Sequence, residues 1–153
     1  MESVLQEKSK AITVLLNGTI SSIQHVIPIK HEIRKPELSN ESLKLQFGVL
    51  IGITGDVKGK LVLSADQSVF GAIGQAMFGM PLEGEMLTSF SGELGNMIAG
   101  GLSTNIVQSG LKTDITAPTI IEGNTNLSGY EKAIKLPVVF ESVGELILYL
   151  LVD

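Results

Sequence analysis

The sequence predicts an α+β domain in which long amphipathic helices pack on an antiparallel sheet. Three observations carry this reading. Apolar residues recur at helical spacing over two long segments, β-rich runs are joined around glycine-containing turns, and a long helix followed by strands appears in each half of the chain, a weak internal two-fold repeat.

Leu5, Ile12, Leu15, Leu16, Thr19, Ile20 and Ile23 mark a first helix from about Val4 to Val26, which Pro28 ends. Ile29 to Asn40 is expected to be a polar connector. Leu43 to Thr54 and Lys58 to Ser64 form a hairpin around Gly55-Asp56, where glycine takes the positive φ of a tight turn. Ala65 to Met80 is a second helix with Val69, Phe70, Ile73 and Met77 on its core face, Ser64 or Asp66 as its cap and Pro81 as its stop.

A longer helix follows from about Glu85 to Gln108, closed by Gly110. Thr113 to Glu122 is a strand candidate broken by Pro118, and Gly123 to Gly129 a turn-rich loop. Lys132 to Phe140 and Glu145 to Val152 are the last two strands, paired around Ser142-Val143-Gly144. From Leu146 to Val152 both strand faces are apolar, so either a helix layer covers each face or a second subunit supplies part of the cover.

A length of 153 residues suits one domain, 1–153, with a core large enough to dispense with metal or disulfide staples. The absence of cysteine excludes a disulfide framework, a thiol nucleophile and thiolate zinc sites, and suits a reducing cytoplasm. A net charge of -5, without a basic run interleaved with aromatics, argues against a nucleic-acid partner. Ala11 to Ile29 carries no Asp, Glu, Lys or Arg, yet Thr13, Asn17, Gln24, His25 and Pro28 interrupt it, so no membrane span is expected. Met1 to Glu7 has neither the basic nor the apolar region of a signal peptide. A soluble cytoplasmic protein is the expectation.

The long helix carries the chemistry. Ser89, Glu93 and Asn96 stand at i, i+4 and i+7, so at about 100° per residue their side chains share one stripe, continued by Gly100 and Thr104. Phe90, Leu94, Ile98, Leu102 and Ile106 fill the opposite side. Within the helix each of Gly92, Gly95, Gly100 and Gly101 costs about 1 kcal/mol relative to alanine, so together they need a compensating reason. For Gly101 that reason is tight packing on the buried side. For Gly92, Gly95 and Gly100 a partner surface pressed against the helix is expected. No Lys or Arg occurs from Met80 to Gly110, which leaves Glu93 available for a partner's lysine.

Other chemistries fit poorly. Gly52 to Leu61 lacks the P-loop pattern, since Thr54 stands where a glycine is required and Leu61 where Ser or Thr is required. His25 and His31 share no helix face, and beside Glu32 they have no second ligand pair at metal spacing. A Gly-x-Ser-x-Gly elbow is absent.

The sequence resembles the CheC and CheX family of chemotaxis phosphatases, CheX-like members most closely. Ser89, Glu93, Asn96 and Pro118 reproduce the family motif, with the last interval one residue short. Ile51 to Gly59, Asn96 to Gly100, Asp114 to Thr119 and Lys135 to Val152 are also similar, so the likeness runs from about Gly48 onward. In the first helix Ser3 and Glu7 match in spacing, but Lys10 stands where asparagine is needed and its ammonium has no acceptor for water. The resemblance therefore implies a CheC-like fold with one active helix.

It further implies hydrolysis of the aspartyl phosphate of a CheY-type response-regulator receiver. Asn96 would orient the attacking water, Glu93 would pair with the receiver's lysine and Ser89 would add a hydrogen bond. Mg²⁺ would come from the receiver, with no cofactor or metal site in this chain. A homodimer whose sheet continues across subunits is implied as well. The competing reading is a non-catalytic docking module akin to the middle domain of the flagellar switch protein, which the presence of both Glu93 and Asn96 disfavours.

Overall fold

The computed structural model describes residues 4–39 and 42–153. Met1 to Ser3, which open the segment read for a signal peptide and include the serine of the Ser3-Glu7-Lys10 triplet, lie outside the described residues, as does Asn40 of the connector.

Helix α1 spans Val4–Val26, the expected range. Strands β1 (His31–Ile33) and β2 (Glu37–Ser39) precede the long β3 (Leu43–Gly55) and β4 (Gly59–Ser64). Helix α2 (Gln67–Phe78) leads into α3 (Glu85–Ile106), which ends in a 3₁₀ turn, Val107–Ser109. Strands β5 (Thr113–Ile115), β6 (Thr119–Leu127), β7 (Lys132–Phe140) and β8 (Gly144–Val152) complete the chain.

The repeat seen in the sequence is a repeat of topology. In each half a long helix precedes two flanking strands and then a hairpin, β3–β4 in the first half and β7–β8 in the second. The two hairpins meet along β4 and β8, with Leu61 opposite Leu150 and Leu63 opposite Leu148. The flanking strands cross over: β1 and β2 pair with β7 of the other half, while β5 and β6 pair with β3. Helix α2 lies between the halves, outside the repeat.

Helices α1 and α3 lie together over one face of the sheet and α2 packs beside α3. Ser22 Oγ donates to the Ile98 carbonyl at 2.7 Å, and Asn105 Nδ2 to the Gly18 carbonyl at 3.2 Å, tying α1 to α3. A Cβ on Gly101 would collide with the Ser22 side chain, so Gly101 serves the packing expected of it. Phe47, Val49, Ile51 and Ile53 of β3 face this helix layer together with Leu146, Leu148 and Leu150 of β8.

Four expectations are corrected. Ile29 to Asn40 is not a featureless connector, because its backbone pairs with β7 in two short strands; that pairing partner lies a hundred residues away and leaves no local pattern. Gly123 to Gly129 is largely strand, since β6 runs to Leu127 along β3. Its glycine at 123, with φ of 85°, lies beside the register shift between Leu45 and Phe47 rather than ending the strand. Helix α2 is shorter at both ends than Ala65 to Met80: Asp66 is its cap residue without a side-chain capping bond, and Gly79 at φ 76° ends it before Pro81.

The fourth concerns the apolar faces of β8. Of the two covers expected, a second helix layer is absent among the described residues. Leu151 on the far face joins Leu43, Leu45, Val62, Ile121 and Ala133 in a separate buried cluster. Past the register shift, Leu43 and Leu45 have left the helix-facing side, so the curled sheet itself buries Leu151, while Ile147 and Tyr149 on the same face stay half-buried.

Candidate functional site

Helix α3 presents the motif on its open side. Ser89, Glu93 and Thr104 are exposed and Asn96 and Gly100 are half-buried, while Phe90, Leu94, Ile98, Leu102 and Ile106 are buried beneath them. The two-sided pattern read from the spacing is therefore the pattern of the helix. Neither the Glu93 carboxylate nor the Asn96 carboxamide takes a side-chain hydrogen bond or ion pair among the described residues. Asn96 is half-buried, and its amide still has two donors and an acceptor to offer.

The helix is held from below and from the side. At Gly95 a Cβ would lie 2.8 Å from both Val49 Cγ1 and Ile51 Cδ1 of β3, so this glycine lets the helix backbone settle on the sheet. At Gly92 a Cβ would lie 3.5 Å from Pro118 Cγ and from Ile120 Cδ1. Both glycines are buried and turned inward. The expected role of Gly92 and Gly95 in admitting a partner is corrected accordingly: both are turned inward, Gly95 where its missing side chain admits β3 and Gly92 where a Cβ would make ordinary contact with Pro118 and Ile120. Gly100 differs, because a Cβ there would meet nothing within 4 Å.

Pro118, far from Asn96 in sequence, thus sits against the motif helix. Its loop is pinned to β3, where the Gly52 amide donates to Thr116 Oγ1 at 2.8 Å and the Thr116 amide to the Gly52 carbonyl at 3.0 Å. Ser103 Oγ donates to the Thr113 carbonyl at 2.8 Å and fixes the start of β5 against α3. These contacts join the motif helix and the loop that carries Pro118 into one surface.

The sequence reading missed an apolar groove of about 710 Å³ beside the motif, bounded by Phe78, Met80 and Met86 together with Ser89 and Glu93. A signal was present: Phe78 and Met86 fall off the apolar stripes of their helices, so the core leaves them outside.

The model of the family described as chemotaxis phosphatase CheX matches residues 47–141, which include β3 from Phe47 onward, the whole of α3 and Pro118. The chain belongs to the CheX family. A curated relative, the CheY-P phosphatase CheX of Thermotoga maritima, is 29% identical over 135 residues, covering 85% of this chain and 87% of its own. Among solved structures, the chemotaxis protein CheX of Desulfovibrio desulfuricans superposes with a TM-score of 0.77 at 18% identity, covering 92% of this chain and 97% of that one. CheX of Borrelia burgdorferi, solved as a CheX-CheY-BeF3-Mg²⁺ complex, gives a TM-score of 0.75 at 21% identity, with 93% and 97% covered. At these identities the two structures establish the shared fold, and the CheX family assignment rests on the match over 47–141.

Proposed function

We propose that this chain is a phosphatase that hydrolyses the aspartyl phosphate of a CheY-type receiver domain. The observation that carries the reading is the pair Glu93 and Asn96, one turn apart on the open face of α3 and without side-chain partners among the described residues. Family membership, and a relative that acts on CheY-P, support the substrate class.

The chemistry asks little covalent work of the protein. Water attacks phosphorus in line, the new O–P bond forms as the bond to the aspartate oxygen breaks, and inorganic phosphate and a free carboxylate result. Asn96 reaches into the receiver's site, accepts a hydrogen bond from the attacking water and holds it in line. Glu93 pairs with the receiver's lysine and fixes the depth and rotation at which α3 docks; Ser89, one turn earlier, adds a hydrogen bond. The open backbone at Gly100 lets the partner approach closely. Mg²⁺ belongs to the receiver in this scheme, and no group of three or more His, Asp or Glu side chains suited to a metal lies among the described residues.

The protein acts as a homodimer in this proposal. Strand β6 pairs with β3 alone among the described strands, so its outer edge is available to a second copy. Sedimentation should show twice the chain mass, and a monomer at micromolar concentration would remove this element.

The activity is tested by following phosphate loss from an acetyl-phosphate-labelled CheY-type receiver with Mg²⁺. Faster loss with the protein present is expected, and equal rates with and without it, for every receiver of the organism, would end the proposal. Binding without acceleration would instead point to a docking module.

A further inference from the structure

Phe78, Met80 and Met86 are 59%, 51% and 56% exposed, three of the five large apolar side chains that the described residues leave in solvent, and all three line the groove beside Ser89 and Glu93. Phe78 is not loose: its ring meets that of Phe90 edge-on, with centroids 5.7 Å apart and planes at 90°. One face of an aromatic ring held edge-on to Phe90 and two adaptable thioethers therefore form an apolar concavity that no described residue fills.

We infer that this groove is the apolar half of the receiver-docking surface, and that it takes an exposed aliphatic or aromatic side chain lying beside the receiver lysine that pairs with Glu93. The inference rests on the phosphatase reading given above. Two features select this occupant. The groove is continuous with the motif, since Ser89 and Glu93 belong to its lining. Its charge is of one sign: Glu85 and Glu93 border it, and the sequence has no Lys or Arg from Met80 to Gly110. A partner must then bring a cation next to an apolar side chain. A second copy of this chain docked symmetrically through the groove would set Glu85 and Glu93 against acidic groups of the same kind.

Met80→Ser and Met86→Ser, singly and together, remove apolar surface from exposed positions and leave the Phe78–Phe90 contact and the motif intact. The probe is a CheY-type receiver, labelled with acetyl phosphate for turnover and loaded with beryllofluoride and Mg²⁺ for binding. The double variant should weaken binding and raise KM by about 30-fold, with kcat at saturating receiver within about twofold of wild type. Asn96→Ala should do the converse, losing kcat and keeping affinity. Unchanged binding and KM in the double variant, with wild-type activity present, would overturn the groove assignment and leave the phosphatase reading standing. A wild-type protein that neither binds nor dephosphorylates any receiver would remove both. If the double variant does not melt like wild type, Glu85→Lys gives the same readout through charge, with affinity expected to fall about fivefold and unchanged affinity counting against the assignment. Loss of self-association in the double variant, with receiver binding unchanged, would give the groove to a second copy and overturn it too.

Discussion

In the proposed reaction Asn96 and Glu93 divide the work by the kind of group each carries. An amide holds water without changing charge, and a carboxylate holds a cation, so the two substitutions should fail in different ways. Asn96→Ala is expected to lower kcat by about 100-fold, since a misplaced nucleophile alone costs that much, while receiver affinity and the melting temperature stay near wild type. Glu93→Gln keeps size and hydrogen bonding but discards the charge. It should raise KM by about 10-fold, more at low salt than at high, because an exposed ion pair is screened. A Glu93→Gln enzyme with wild-type KM at every ionic strength would show that no partner lysine reaches it. The motif was legible at this scale because Ser89, Glu93 and Asn96 are local: helical spacing alone places them on one stripe, and the structure keeps them exposed or half-exposed there. Pro118 was less so. Its place against Gly92 is set by the β5–β6 connection pinned at Gly52, which no spacing in the sequence reports.

Helix α3 separates two uses of glycine that look alike in the sequence. At Gly95 the helix propensity gained by alanine, about 1 kcal/mol, opposes overpacking against Val49 and Ile51 that costs about 1–3 kcal/mol. Gly95→Ala should therefore lower stability by about 1 kcal/mol in urea unfolding. At Gly100 there is nothing to collide with, so Gly100→Ala should raise stability by about 0.5–1 kcal/mol. If a receiver closes on that part of α3, the same substitution weakens its binding. A stabilised Gly95→Ala protein would contradict the packing described for α3 on β3. Sequence shows that glycines interrupt a helix, but the neighbour across the gap comes from another element. The same limit explains the strands. β3, β4, β7 and β8 announce themselves through apolar runs, whereas β1, β2 and most of β6 are stretches of mixed polarity held at sheet edges by backbone hydrogen bonds.

The whole molecule is two similar halves that exchange their flanking strands, with the helices on one side and a small second core where the sheet curls on the other. Tyr149 of β8 packs at the edge of that second core, and burial, reinforced by Glu145 and Tyr130, raises its pKa above the usual 10.0. A raised phenol pKa means that the unfolded chain releases this proton first as the solution turns alkaline. Stability from Tyr149 is then complete below pH 10.0 and is lost as pH climbs toward the higher folded value. Tyr149→Phe should flatten that alkaline loss in pH-dependent denaturation, and an unchanged slope would assign it elsewhere. The fold class and the two-fold repeat were visible in the element order, because long amphipathic helices and hairpins are strong patterns; the exchange of flanking strands was not, since it is a property of long-range pairing.

In the proposed reaction both halves together serve to hold the half-buried Asn96 amide on the open face of α3. Single-turnover phosphate release from a phosphorylated receiver, compared for the wild-type protein, Asn96→Ala and no protein, tests that claim most directly. Acceleration by the wild type that falls nearly to the unassisted rate with Asn96→Ala, at full receiver binding, is the expected result. Equal acceleration by the two proteins would contradict it.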